Sequence, residues 1–363
     1  MNIVLDVGAF SNGGSVEFRR SEAVKSVLKS SIEKGILYAV AAPLERNKKV
    51  SAVLARSPES LDGANLSWDF MNVSMAGIVS DITKKSPPSR GRKIGVLLRS
   101  CEARAIVELV KLNQASLENL ITIGFDCLGT YPIRRFLYQP DLPIREACLI
   151  CEHPEPLNTD IIISLAGLED DGLIVLRGMS ENGNGLLAAL EGTEASEEQL
   201  KKNENAVALI KKERIAKREE LFEKYRTQIY GFEKLSEVLA SCINCHNCRK
   251  VCPVCYCREC LFDSPVFEWK ADNYISWSDK HGAVALPEGR LLFHLTRLNH
   301  IAASCVGCGI CEEACPNGIP VFSLFRFSGD RVQAAFAYEA GRSLDEPLPV
   351  TQFKENEFES IGN

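Results

Sequence analysis

The chain has 363 residues, a formal net charge of −6, and 45% hydrophobic and 25% charged residues, a balance suited to two or three packed domains. No apolar run approaches the roughly 20 residues needed to span a bilayer, the start MNIVLDVGAF has no basic region followed by a long apolar one, and the absence of a sustained Lys/Arg block argues against nucleic acid. Fifteen cysteines exceed what packing uses in a chain with no need of disulfide staples, which points to reduced thiols in the cytoplasm and to metal.

In chain order, the first 190 residues alternate β-rich runs with helical patterns: GILYAVAAP (35–43), VSAVLAR (50–56), KIGVLLRS (93–100) and NLITIGFDC (119–127). This is α/β grammar, and CEARAIVELVKLNQ between the last two runs places Ala105, Ile106, Leu109, Val110 and Leu112 on a helix packed against parallel strands. The glycines of SNGGS (11–15) and ENGNG (181–185) lack a strand-GxGxxG-helix context and read as turns. From Thr193 to about Leu239 a proline-free, charge-laced stretch predicts one or two long helices, a connector with a largely solvated face. The expected architecture is an α/β domain with a mainly parallel sheet (1–192), a helical connector (193–238), an α+β two-cluster ferredoxin-like domain with a helical extension (239–345) and a tail (346–363).

Two runs share one spacing: Cys242-x2-Cys245-x2-Cys248-x3-Cys252-Pro253 and Cys305-x2-Cys308-x2-Cys311-x3-Cys315-Pro316. Three closely spaced thiolates wrap one [4Fe–4S] cube and the turn before proline sends the fourth to the other cube. One cluster is therefore expected on Cys242, Cys245, Cys248 and Cys315, the other on Cys305, Cys308, Cys311 and Cys252. Two zinc sites built from CxxC pairs are the plainer alternative, disfavoured by the duplicated full motif. Cys255, Cys257 and Cys260 are left over, either as the start of a further metal site or as buried thiols. His246, inside the first run, reads as a side chain shielding or tuning its cluster.

Cys101 and Cys127 follow two of the parallel strands at the carboxyl edge of the sheet, where open α/β sheets bind ligands, and Cys148 and Cys151 form a compact CxxC nearby in sequence. The four suffice for a third [4Fe–4S] cluster; they are also compatible with zinc, or with Cys101 and Cys127 as small buried hydrophobes. Arg99, Glu102 and Arg104 flank Cys101 at a helix start, where they either meet an anionic group such as a flavin phosphate or form ordinary salt bridges. No histidine sits in a hydrolase motif.

The segment KIGVLLRSCEARAIVELVKLNQASLENLITIGFDCLGTY, the CLIC pair, CPVCYCREC and RLNHIAASCVGCGICEEACPNGIPVFSLFRF together resemble the coenzyme F420 hydrogenase/dehydrogenase β-subunit family, which includes formate dehydrogenase β subunits. The resemblance covers about residues 90–150 and 239–345. It implies an electron-transfer subunit of an oxidoreductase: FAD in the α/β domain exchanging hydride with F420 or a nicotinamide, and clusters passing single electrons to a formate dehydrogenase α-like, hydrogenase-like or heterodisulfide-reductase-like partner, with no membrane span of its own. Arg20, Ser21 and Glu22 stand where the family has a Cys-Gly-Gly turn, and Ser100 where it tends to have proline, so a relay without its own flavin is a variant of this reading. A scaffold subunit with structural clusters is the alternative from another class.

Overall fold

The computed structural model describes residues 1–6, 16–47, 49–62, 65–66, 69–85, 87, 91–137, 139, 141–168, 172–257, 259–265, 271–282, 289–353 and 355; SNGGS lies outside them. The sheet contains β1 (Asn2–Asp6), β2 (Ala39–Arg46), β3 (Lys49–Ala55), β4 (Asn65–Leu66), β5 (Ile94–Arg99), β6 (Leu120–Phe125), β7 (Ile161–Ser164), β8 (Leu173–Gly178) and β9 (Thr193–Glu194). Its order is β3-β2-β5-β6-β7-β8-β1-β9, with β4 also on β2. Helices α1 (Val16–Glu33), α2 (Met75–Lys85) and α3 (Ser100–Lys111) cover it. Every residue of β5 and β6 is buried, as expected of strands with both faces covered. Leu97 and Ile123 face one core with Leu28 and Leu186, while Val96, Leu98 and Leu120 face another with Met75, Val79 and Leu109.

The sheet is mixed, which corrects the expectation of a mainly parallel one. The pairings β2·β5, β5·β6 and β6·β7 are parallel; β3 and β4 at one end and β8, β1 and β9 at the other are antiparallel. The inner pairings come from helical crossovers. The outer ones come from short returns, such as the β2–β3 link where Asn47 adopts φ 50°, and from insertion of the N-terminal strand beside β8. ENGNG is also not a turn: it opens a helix whose N-cap, Ser180, accepts a hydrogen bond from Gly183 N. Gly183 is needed for close approach, since a Cβ there would lie 1.9 Å from the Asp160 carbonyl oxygen.

Beyond β7 and the short helices α4 (Ile133–Leu137) and α5 (Glu146–Leu149), the chain forms α6 (Glu181–Ala188) and the long α7 (Glu197–Ile229). Ser196 and Gln199 close a capping box at its start. This helix is more than a solvated connector. Asn203 donates to Asp126 Oδ2 (2.7 Å) and the Ala166 carbonyl (2.9 Å) in the α/β domain, and Leu221, Tyr225 and Ile229 enter a third core with Phe293, Phe325 and Phe327. That core draws on α8 (Phe232–Val238), α9 (Asn247–Lys250), α11 (Arg290–Ile301), α12 (Ile310–Glu313) and α13 (Val321–Ala335), and α10 (Ala271–His281) precedes α11 in the chain. Among the described residues 239–345 there are helices and no strand, where an α+β arrangement was expected.

After α13 the chain returns to the α/β domain and clasps α3. Arg104 donates to the carbonyls of Val306 (3.2 Å) and Ala340 (2.7 Å), and fully buried Glu108 accepts from Tyr338 Oη (2.5 Å) and Gly341 N (2.8 Å). Gly341 has φ +79°, and a Cβ there would lie 2.4 Å from Arg104 Cβ. Left-handed strain and overlap together predict that Gly341→Ala lowers stability by about 2–5 kcal/mol, measurable as a fall in the thermal unfolding midpoint.

Candidate metal centres

The two cysteine runs repeat one backbone design. In each, the second residue after the first cysteine and the residue after the second cysteine turn left-handed: Asn244 (φ 54°) and His246 (φ 59°) in the first, Gly307 (φ 70°) and Gly309 (φ 68°) in the second. Asn and Gly tolerate this conformation best. A one-turn helix follows, α9 or α12, and then the fourth cysteine and its proline. The second run needs glycines for space as well, since Cβ atoms at Gly307 and Gly309 would lie 2.9 Å from Arg326 Cδ and 2.3 Å from Ala147 Cβ.

Three small cavities result, each of about 20 Å³. The first is walled by Cys242, Cys245, Cys248 and Cys315, the second by Cys252, Cys305, Cys308 and Cys311. The third lies at the carboxyl edge of β5 and β6 and is walled by Cys101, Cys127, Cys148 and Cys151, with Cys308 as a fifth thiol shared with the second. Among the described residues no three His, Cys, Asp or Glu side chains converge on a point that could hold one metal ion. The thiols surround chambers instead, a geometry suited to a cube rather than to a tetrahedral zinc ion.

Buried nitrogen groups lie beside sulfurs of the first and third chambers, and one of them also lines the second. His294 Nε2 is 3.5 Å from Cys242 Sγ, and its buried Nδ1 has no hydrogen-bond partner among the described residues. Arg297, wedged between the first two chambers, donates to Cys248 Sγ (3.1 Å) and the Cys248 carbonyl (3.2 Å); its guanidinium lies 4.6 Å from the Phe325 ring centre. At the third, Thr130 N and Oγ1 lie 3.3 and 3.4 Å from Cys148 Sγ. Arg145 Nη2 is 3.7 Å from the same sulfur, and its buried Nη1 is unpartnered among the described residues. Such N–H···S contacts orient thiolates and tune a cluster.

Burial dominates the thiols. It pushes Cys248 and Cys308 up to about 11 and Cys127 to about 12, with neighbouring thiols adding to the rise; Cys101 and Cys311 go well above the ordinary value for the same reasons. Cys148 is the exception: burial raises it, but the Arg145 charge and the Thr130 hydrogen bonds outweigh burial and lower it. Burial, aided by Arg297, also holds His294 down to about 3, so its ring is neutral.

The cysteine-rich region and the chain around it are similar to known proteins. Residues 237–319 match the family model of the 4Fe-4S dicluster domain. The chain is 28% identical over 306 residues to the F420-dependent formate dehydrogenase subunit beta of Methanocaldococcus jannaschii, covering 71% of this chain and 76% of that one. It is 26% identical over 376 residues to the F420-dependent formate dehydrogenase 1 subunit beta of Methanococcus maripaludis, covering 90% and 92%. The chain is related to F420-dependent formate dehydrogenase β subunits and carries a region that matches the 4Fe-4S dicluster domain. A solved structure of the F420-reducing [NiFe] hydrogenase complex from Methanosarcina barkeri aligns with 58% of this chain and 86% of its own at 15% identity and a TM-score of 0.44. Among the described residues no helix is long and apolar enough to cross a membrane.

In this β-subunit relative the other residues singled out in the sequence have different settings. Cys255 and Cys257 line, with Cys252, Tyr256, Lys84 and Lys250, a cleft of about 550 Å³ between α2 and residues 249–257; Cys260 caps a short 3₁₀ turn away from it. The three are not gathered around one chamber. His246 stacks on Phe293 at 4.4 Å and shields the first chamber. Arg99, Glu102 and Arg104 are all buried and bonded to protein: Glu102 accepts from Arg99 N (2.9 Å) and Met75 N (2.8 Å), Arg99 donates to the Phe70 carbonyl, and Arg104 forms the clasp above. Arg20 donates to the Leu165 carbonyl and Ser21 accepts from Leu66 N, so both are packed within α1.

Proposed function

We propose that this chain is an electron-relay subunit of a multi-subunit cytoplasmic oxidoreductase, carrying three [4Fe–4S] clusters. The first would sit on Cys242, Cys245, Cys248 and Cys315, the second on Cys252, Cys305, Cys308 and Cys311, and the third on Cys101, Cys127, Cys148 and Cys151. The observation that carries this reading is the sorting of twelve cysteines into three chambers of similar size, lined in turn by the buried nitrogen-bearing side chains of His294, Arg297 and Arg145. When bound, such clusters supply one-electron redox chemistry.

The chain's own residues hold and insulate the sites. Arg297 and the backbone N–H of Ile319, which is 3.4 Å from Cys315 Sγ, compensate thiolate charge, and Phe293, Phe322 and Phe325 keep water from the first two chambers. The second and third chambers share the Gly307–Cys308 wall, and Cys248 and Cys252 flank one turn between the first and second, so the three form a continuous series. The partner is proposed to be a formate- or hydrogen-oxidising or heterodisulfide-reductase-like subunit, and the far terminus a flavin, F420 or nicotinamide carrier. Arg99, Glu102 and Arg104 do not fit a flavin phosphate because all three are buried and each is already bonded to protein, and no step is assigned to a flavin held by them.

Anaerobic reconstitution with iron and sulfide tests the reading. About twelve iron atoms per chain, four per cluster, with visible absorption that bleaches with dithionite and returns in air, are expected. Failure to bind iron would overturn it, and bound iron that does not respond to reductant would favour a structural scaffold.

A further inference from the structure

We propose that Arg145 and Arg214 make the third chamber the highest-potential station of the relay, so that electrons entering the ferredoxin-type pair collect at the edge of the α/β sheet. The proposal rests on the three-cluster reading above. Reducing a cluster adds one negative charge, and a fixed cation in a water-excluded site stabilises that charge more than mobile solvent does; hydrogen bonds and net charge around the sulfurs set the potential.

The charges around the chambers differ. The third is lined by Arg99, Arg145 and Arg214, which are 0%, 5% and 8% exposed. Arg99 is offset by Glu102, 3.4 Å away. Glu152, next to the Cys151 ligand, is bonded to Arg218 and Arg326. Glu339 faces the outer side of His153 at 3.6 Å, and Glu313 accepts from Ile133 N.

Arg145 and Arg214 have no carboxylate partner of their own among the described residues. Arg145 donates through Nε to Thr130 Oγ1 (2.7 Å) and turns Nη2 toward Cys148 Sγ and Met71 Sδ. Arg214 reaches across from α7 and donates to the Cys127 carbonyl at 3.1 Å. The second chamber has Arg297 alone among its lining cations, and the first, lined by His246 and His294, shares that same guanidinium through its bond to Cys248 Sγ (3.1 Å), so the first two chambers divide one buried cation where the third has two. The long connecting helix thus acts as a positioning element: it brings a buried cation to a cysteine set that contains none of its own residues.

An EPR-monitored redox titration of the reconstituted full chain tests the proposal. As the potential is lowered, the first signal to appear should be absent from Cys101→Ser/Cys151→Ser, whose iron should fall from about twelve to about eight per chain while the interacting pair remains. In Arg214→Gln that same signal should lose at least tenfold in its reduced-to-oxidised ratio at fixed potential, about 59 mV for one electron, with the pair unmoved, and Arg214→Lys should restore it. The proposal is overturned if the first-reduced signal survives in the double cysteine variant, or if Arg214→Gln leaves it in place or shifts the pair instead; the relay reading would then still stand. Eight iron atoms in the unmodified chain would overturn the proposal together with the third cluster. Should Arg214→Gln not fold, the titration of the double cysteine variant alone separates the two outcomes.

Discussion

Cys308→Ala is expected to cut bound iron from about twelve to about eight atoms per chain, with the whole loss at the second chamber. Cys308 lines two chambers, but its roles in them are unequal. In the second it is one of four thiols, and removing it leaves three. In the third, Cys101, Cys127, Cys148 and Cys151 already make a full set. The expected spectrum therefore keeps the third-chamber signal and loses the magnetic interaction of the ferredoxin-type pair. Cys148→Ala should do the reverse, because Cys148 lies deep in the third chamber and lines neither of the others. Iron counting combined with EPR on the two variants measures both, and loss of the third-chamber signal in Cys308→Ala would move that thiol to the other set.

The asymmetry also marks how far sequence reasoning reaches. The grouping of these eight cysteines around two chambers was legible because it is local: a spacing of three, three and four residues fixes which thiols a loop can bring together, and the repeat supplies the crossover. The third group was legible from strand ends, because Arg99 and Phe125, paired in parallel register, put Cys101 and Cys127 at the same edge of the sheet. Cys308 as a shared wall was not, since nothing in its loop says that the turn will lie against Ala147. Arg214, Arg297 and His294 were missed for the same reason. Each is an ordinary helical residue whose partner cysteine is distant in sequence; only Arg214 gave a faint sign, a cation on the side of α7 that carries Leu221 and Tyr225. The mixed sheet was missed because β1 and β8 pair through Asn2–Asp6 and Leu173–Gly178, a contact that no local pattern announces. Arg99, Glu102 and Arg104 resembled an anion site because a helix start favours anions, but Glu102 itself fills that role by accepting from Arg99 N.

Gly309→Ala is expected to damage two chambers at once although no ligand atom is changed. Two costs coincide there. The backbone is left-handed at φ +68°, which costs an L-residue about 1–2 kcal/mol, and the new methyl would lie 2.3 Å from Ala147 Cβ, an overlap that costs about 1–3 kcal/mol to relieve. The overlap cannot be relieved by rotating a flexible side chain, because Ala147 sits on α5, one residue before Cys148 and two after Arg145. Relief must move either the second-chamber loop or the third-chamber helix, and either movement widens the wall the two chambers share. The expected outcome is a loss of about 2–5 kcal/mol in stability, together with weakened retention of iron at the second and third chambers and normal retention at the first. Ala147→Gly in the same chain removes the clashing methyl and should recover the overlap cost while leaving the left-handed cost in place. A double-mutant cycle on unfolding free energy and iron retention thus separates backbone strain from contact between the domains: a coupling of at least about 1 kcal/mol assigns the damage to the shared wall, whereas additive effects would place it in the loop alone.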